Sequence, residues 1–193
     1  MRIILASKSP RRKELLGKIF ESFEIITRET DEPLPSGMHP REGVAVLAKR
    51  KGRAVVDGLI AEGESLSDTL VISSDTLVEL SGEALGKPLD YSDAVRMLAS
   101  LSGKRHSVHT GIAVYYEGKH LSDTATTDVY FKELTELQIK AYVDSGDPMD
   151  KAGAYAIQGE AGKFVDKIEG DFDTVVGLSS ELLKRLVSAV LEK

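Results

Sequence analysis

Apolar positions along the chain fall into short runs with strand character and longer stripes with helical spacing. Ile3, Ile4 and Leu5 form a compact run that predicts a buried strand, and Leu15, Leu16, Ile19 and Phe20 recur at the spacing of one helix face. Ser9 as a capping hydroxyl and Pro10 at the first helical position place the start of that helix. Residues 23–27 alternate as a strand, and Glu29-Thr30-Asp31-Glu32-Pro33 reads as a polar loop with three carboxylates. His39-Pro40 then opens a helix that runs to about Ile60, its inner face marked by Val44, Leu47, Ala48, Ala54 and Val55. Lys51 falls on that same apolar face.

Residues 61–68 are rich in Gly, Ser and Glu and predict a surface loop. Thr69-Leu70-Val71-Ile72-Ser73-Ser74 is the strongest buried-strand signal, with Asp75-Thr76 at its end. Ligands of open α/β sheets collect beyond the carboxyl ends of strands, which makes Asp75 a candidate catalytic group; an Asx turn leading into Leu77-Val78-Glu79-Leu80 is the competing structural reading. Ser81-Gly82 reads as a turn, and Leu85-Gly86-Lys87-Pro88 presents a lysine between two backbone-restricting residues. Ser92 caps a helix with Val95, Leu98 and Leu101 turned inward and Gly103 at its end. Residues 106–116 and 124–131 predict neighbouring strands, and Thr135 begins a helix that stops near Gly146. Residues 162–168 predict another strand, residues 170–177 a turn followed by a further strand, and Leu183, Leu186, Val187 and Val190 a closing helix from about Ser180. Helices interspersed with strands of mixed length predict an α/β fold with a central mixed sheet flanked by helices.

With 193 residues, 41% hydrophobic and 29% charged, the chain suffices for one substantial core and is short for two, so residues 1–193 are expected to form one domain. The absence of cysteine excludes disulfides, thiolate nucleophiles and cysteine-held metal centres, and is compatible with a reducing compartment. Met1-Arg2 leads straight into the first strand, and no apolar segment reaches bilayer-spanning length; a soluble, cytoplasmic protein without a membrane partner is expected. A net charge of −6 weighs against a broad nucleic-acid footprint, which depends on neutralising many phosphates. A small polyphosphate needs only a few convergent cations, and a divalent metal such as Mg²⁺ or Mn²⁺ can carry the remaining neutralisation.

Candidate chemistry concentrates at element ends. Ala6-Ser7-Lys8-Ser9-Pro10-Arg11-Arg12 places two arginines in a first helical turn, where they oppose the helix dipole unless an anion joins them. The plain alternative is two solvated surface charges. Lys51 on an apolar stripe either snorkels to water along its methylenes or points into a polar cavity. Around Ala152, Gly153, Ala154 and Ala156 the backbone can approach a ligand closely, and Asp150, Lys151 and Gln158 offer substrate-binding groups beside it. No serine-hydrolase elbow, P-loop or dinucleotide fingerprint occurs, and His39, His106, His109 and His120 lack metal-ligand spacing and read as structural or surface residues. What remains is a set of cations (Arg11, Arg12, Lys51, Lys87, Lys151) and carboxylates (Glu32, Asp75, Asp150). Such a set, with oxygen ligands for a divalent metal, suits hydrolysis of a phosphoanhydride, with a carboxylate activating water.

L-A-S-K-S-P-R-R at 5–12, S-D-T-L-V at 74–78, L-G-K-P at 85–88, L-S-G-K-R-H-S-V at 101–108 and D-K-A-G-A-Y-A-I-Q-G at 150–159 together resemble the Maf family of nucleoside triphosphate pyrophosphatases. The likeness covers essentially the whole chain. It implies a Maf/ITPase-like fold with two lobes around a cleft, often dimeric. The implied reaction cleaves a nucleoside triphosphate between the α and β phosphates, with divalent-metal help, to the monophosphate and pyrophosphate. Carried onto matching positions, it implies Asp75 as catalytic base, Ser7, Arg12, Lys51 and Lys87 on the phosphates, and Glu32 assisting the metal or water. Arg11, Thr76 and Gln158 resemble the subgroup acting on dTTP and UTP rather than the one acting on 7-methyl-GTP. The Gln158 amide both donates and accepts, which suits a pyrimidine edge, 5-methyl or pseudouridine variants included. Ser74 stands where the family often has alanine and Ser179 where it often has proline, and neither removes an implied catalytic residue.

Two other classes compete. A nucleotide-sensing protein that regulates cell division without turnover would use the same cations, but gains nothing from a carboxylate beside a polyphosphate. A nucleic-acid binder using Arg11, Arg12 and the basic cluster at 49–53 conflicts with the acidic net charge.

Overall fold

A computed structural model describes residues 1–30 and 37–192. Strand β1 (Arg2–Leu5) feeds helix α1 (Pro10–Gly17), and the Ser9 side chain accepts a hydrogen bond from the Arg12 amide, so the junction forms as the local residues dictate. The strand expected over 23–27 shrinks to β2 (Glu24–Ile25), whose side chains are both exposed, while Phe23 and Ile26 on either side pack partly buried against the core. Helix α2 (Pro40–Ala61) is capped by His39, whose Nδ1 accepts from the Arg41 amide, and it buries Val44, Leu47, Ala48, Val55 and Leu59 along one side.

The strand expected over 69–74 runs on as β3 (Thr69–Leu80), followed by β4 (Glu83–Leu85). Asp75 is therefore in mid-strand and in neither a strand end nor an Asx turn. Pairing is the reason: β5 (Arg105–Tyr116) stays in antiparallel register with β3 from Leu70↔Tyr116 to Glu79↔Ser107 and carries the ladder straight through Asp75↔Gly111. Between β4 and β5, α3 (Tyr91–Leu101) starts from Asp90, whose carboxylate accepts from the Asp93 amide, and not from Ser92. Strand β6 (Lys119–Phe131) begins five residues before the expected 124, because Glu117 and Gly118, both at positive φ, close a tight hairpin that pairs Tyr116 with Lys119.

Thr135 and Gln138 cap α4 (Glu136–Asp144) reciprocally. Residues 160–164 form a 3₁₀ turn, and the strand expected over 162–168 is confined to β7 (Val165–Glu169). The strand expected within 170–177 is instead helix α5 (Phe172–Val176): the Asp171 carboxylate accepts from the Asp173 amide and the Thr174 hydroxyl, which starts a helical turn where the apolar pair Val175-Val176 alone suggests extension. Helix α6 (Ser180–Leu191) closes the described chain.

Among the described residues seven strands form one mixed sheet, ordered β2-β1-β3-β5-β6-β7 with β4 paired to β3 off this path; β1 is parallel to β2 and β3 and the remaining pairs are antiparallel. Helix α2 covers one face over Ile4, Val71 and Ala113, while α1, α5 and α6 cover the other over Leu5, Ile72, Ile112 and Val114. Farther along the same strands a second cluster, around Val78, Val108, Val129 and Phe131, packs against α3, α4 and the segment 152–164. These clusters make two lobes, and the cleft opens between them. The expected α/β class, mixed sheet and two-lobed arrangement are all present.

Candidate active site

The cleft arises from how β3 is paired. β5 occupies one edge of β3 along its length, so β1 and β4 both take the other edge, β1 as far as Leu5↔Ile72 and β4 from Val78↔Leu85. Residues 73–77 are left without a strand partner on that edge. Asp75 is thus beside the carboxyl end of β1, so the crevice rule holds through a neighbouring strand and not through β3 itself. A cavity of about 1220 Å³ wraps this gap, lined by Ser7, Lys51, Asp75 and Lys87 and also by Arg11, Asp150 and Gln158.

Asp75 shares the α2 face of the sheet with Ser73 and with its cross-strand partner Gly111. The helix backbone lies directly on that face: a Cβ on Gly111 would sit 2.5 Å from the Val44 carbonyl oxygen, and one on Gly52 would sit 2.6 Å from Ser73 Oγ. Ser73 Oγ donates to the Ala48 carbonyl at 2.7 Å and Tyr115 to the Lys49 carbonyl at 2.7 Å, which fixes α2 lengthwise. Lys51 consequently reaches the sheet, its Nζ donating to Asp75 Oδ1 at 2.5 Å. Its side chain is 22% exposed and that of Asp75 12%, so Lys51 points into the polar cavity and does not snorkel outward. Among the described residues the second Asp75 oxygen has no hydrogen-bond partner.

Arg12 is placed differently from a free phosphate arm. Its Nε donates to the Gly177 carbonyl at 2.9 Å, Nη1 to the Ser74 carbonyl at 2.8 Å and to Ser7 Oγ at 3.3 Å, and Nη2 to Thr76 Oγ1 at 3.0 Å. One guanidinium thereby joins the β1–α1 turn, the unpaired edge of β3 and the end of α5. Thr76 Oγ1 also meets the Thr110 hydroxyl at 3.0 Å, which in turn donates to the Thr174 carbonyl at 2.7 Å. Thr76 therefore belongs to this brace as well as to the cleft wall.

Lys87 is exposed on the loop after β4, and the carbonyl of its neighbour Gly86 accepts from the Gly153 amide at 3.0 Å. A Cβ on Gly153 would meet Val78 at 2.9 Å, and its φ of +67° suits glycine, so this residue lets the 150–159 segment lie against β3 and the Lys87 loop together. Lys151 lines the cleft, but its ammonium donates to the Asp147 carbonyl and to the carboxylates of Asp150, at 2.7 Å, and Asp147, at 3.1 Å. It is 8% exposed and acts within the loop. The Asp150 carboxyl is lowered from its usual value, first by that hydrogen bond and also by the charges of Lys151 and Arg11. Glu32 lies outside the described residues.

Sequence reasoning passed over Gly111, Thr110, Gly177 and Tyr155. The signal for Gly111 was present, a lone glycine inside the strand H-S-V-H-T-G-I-A-V, which marks a close backbone approach. Tyr155 lines the cleft with its hydroxyl held by His106 Nε2 at 2.8 Å. Burial pushes the His106 imidazole down to about 4 and the Tyr155 phenol up, so both stay neutral. His106 and His109 are buried inside the sheet and His39 caps α2, in keeping with their structural reading.

A family model described as Maf-like protein matches residues 2–190. A dTTP/UTP pyrophosphatase of Bdellovibrio bacteriovorus is 42% identical over 96% of this chain and 97% of its own, and one of Pelotomaculum thermopropionicum is 44% identical over 98% of both. One from the archaeon Thermococcus gammatolerans is 44% identical over 95% of this chain and 94% of its own. Among solved structures, the Ham1 protein of Staphylococcus aureus superposes with a TM-score of 0.50 at 16% identity, covering 99% of this chain and 96% of that one, which supports the fold alone.

Proposed function

The chain belongs to the Maf family, and we propose that it is a pyrophosphatase that cleaves dTTP and UTP between the α and β phosphates. The observation that carries this reading is the pairing of Lys51 with Asp75 inside a cleft that Lys87 also lines. Asp75, anchored through Oδ1 by Lys51, takes a proton from water as the water oxygen adds to phosphorus and the anhydride P–O bond breaks, with pyrophosphate and the monophosphate parting. Lys51 orients the carboxylate, Lys51 and Lys87 face the phosphate charge, and Ser7 donates from the β1–α1 turn. Arg12 and Thr76 hold that turn to β3, and Arg11, Asp150 and Gln158 meet the base.

A divalent ion fits these donors. Mg²⁺ is commonly held by one or two carboxylates together with substrate phosphates, and Asp75 supplies such a carboxylate, while among the described residues no group of three or more His, Cys, Asp or Glu converges on an ion. When bound, the metal neutralises developing charge on the triphosphate. Glu32 is the proposed second carboxylate. The sheet supports the one-domain reading, since β3, β5 and β6 cross both lobes. A cytoplasmic homodimer is part of the same proposal. Among the described residues no helix is long and apolar enough to cross a membrane.

Incubation with dTTP or UTP and Mg²⁺, followed by product analysis, tests the reaction. Monophosphate plus pyrophosphate is expected, and orthophosphate plus diphosphate would overturn the cleavage position. Asp75→Asn should lower kcat by about 10²–10⁴ while melting within a few degrees of the parent.

A further inference from the structure

We propose that a groove between helix α2 and the β5–β6 hairpin is a second binding site, distinct from the catalytic cleft, that takes a nucleoside monophosphate. The groove carries its own chemistry and does not depend on what the cleft cleaves. It is a cavity of about 850 Å³, a volume suited to a small molecule, set between Lys49, Arg53 and Asp57 of α2 and Tyr115 and His120 of the hairpin. Of the residues that line it, Thr30 alone also lines the cleft.

Printed contacts hold these side chains together. Lys49, Arg53 and Asp57 follow one another at four-residue spacing, so they stand in a row on one face of α2, about 6 Å apart along its axis. The hairpin is tied to that row: the Tyr115 hydroxyl donates to the Lys49 carbonyl at 2.7 Å, and a Cβ on Gly52 would sit 2.5 Å from the Tyr115 ring. His120 is the cross-strand partner of Tyr115, and the two rings stack with centroids 5.5 Å apart and planes 17° from parallel. The charges of Arg53 and Asp57 both reach Tyr115. An exposed imidazole thus lies over a buried phenol, beside a row of charged groups.

What these groups leave unmet defines the ligand. Asp57 holds Arg53 through Nε at 2.8 Å, and among the described residues neither Nη of Arg53, the Lys49 ammonium nor a ring nitrogen of His120 has a hydrogen-bond partner. Lys49, Arg50 and Arg53 against Asp57 concentrate positive charge on a chain whose net charge is −6. A phosphomonoester, which carries about −1.5 to −2 near neutral pH, matches that excess, and the paired Nη groups of Arg53 suit its oxygens. The open face of His120 stacks a planar base, and Asp57, an acceptor only, takes a ribose hydroxyl proton. Inorganic phosphate would use neither the ring nor the carboxylate. A nucleic-acid strand needs a longer run of cations than two helical turns supply.

With four histidines in the chain, the imidazole C–H proton resonances report the groove directly, the His120 signal being assigned as the one lost in His120→Ala. Titration of the parent with UMP should move the His120 signal saturably in the millimolar range or below, and added salt should weaken the effect. Arg53→Ser should raise the dissociation constant about tenfold through loss of the charge-assisted contacts. Uridine and inorganic phosphate, titrated separately, should each bind at least tenfold more weakly than UMP. A His120 signal that millimolar UMP leaves in place overturns the site. Phosphate binding as tightly as UMP reduces the groove to an anion patch and overturns the nucleoside assignment, as does uridine binding as tightly as UMP. A His120 response that disappears in Lys87→Ala and survives in Arg53→Ser places the nucleotide in the cleft and overturns the second site. None of these results bears on hydrolysis of dTTP, which is measured by its products, so the groove and the pyrophosphatase reading fail separately.

Discussion

Replacing Gly111 by alanine strikes the contact that seats α2 on the sheet. The added methyl would lie 2.5 Å from the Val44 carbonyl oxygen, 2.6 Å from its carbon and 2.8 Å from the Ala45 nitrogen. All three are backbone atoms of a 22-residue helix, so no side chain can swing aside to relieve the clash. An ordinary contact begins at 3.4 Å, which asks α2 to lift by about 0.9 Å beside Gly111. Overpacking of this kind costs about 1–3 kcal/mol, and a backbone clash belongs at the upper end. For a chain of this size about 3 kcal/mol lowers Tm by roughly 6–12 °C. Because Gly111 is directly opposite Asp75 and α2 carries Lys51, the lift also parts the 2.5 Å ion pair. A displacement near 1 Å at reacting groups costs about 10² in rate. Thermal melting and pyrophosphate release from dTTP read the two effects. Gly17→Ala is the control: it ends α1 with nothing within 4 Å of the new methyl, and it should gain up to about 1 kcal/mol. A Gly111→Ala protein that melts within a degree of the parent and keeps kcat/KM within twofold would refute the reasoning.

Arg12→Lys should destabilise the protein by about 2–4 kcal/mol in urea denaturation, because one ammonium cannot reproduce a fork that reaches Gly177, Ser74, Ser7 and Thr76; a loss below about 0.5 kcal/mol would show that the brace is dispensable. The His106 imidazole, pushed down by burial to about 4 from 6.5, is protonated in the unfolded chain before the folded one. Its contribution is therefore complete above pH 6.5 and is lost as pH falls from 6.5 to 4, by up to about 3 kcal/mol. Denaturation midpoints across that window should show the slope in the parent and a flatter one in His106→Leu; identical slopes would rule out His106 as the titrating group.

Features set by neighbouring residues were legible in the sequence. Ser9-Pro10 starts α1, the 3.6-residue stripe draws α2, the apolar run marks the beginning of β3, and the stripe Leu183, Leu186, Val187 and Val190 draws α6 from Ser180. The cluster of cations and carboxylates was legible as a set, because residues at element ends or on an unexpected face stand out against a regular pattern. Lys51 was conspicuous for that reason: an ammonium on an apolar stripe demands a partner.

Identity of the partners needed the tertiary structure. Asp75 lies in mid-strand because β5, more than thirty residues later, continues the ladder past it, and periodicity within 69–80 cannot report a pairing of that range. Arg12 and Lys151 look like free cations in sequence, yet Arg12 closes on a carbonyl 165 residues away and Lys151 on its own loop. Caps and stripes depend on atoms a few bonds apart along the chain, whereas the cleft exists because two strands share one edge of β3 and leave a gap, and that gap is a property of the assembled sheet.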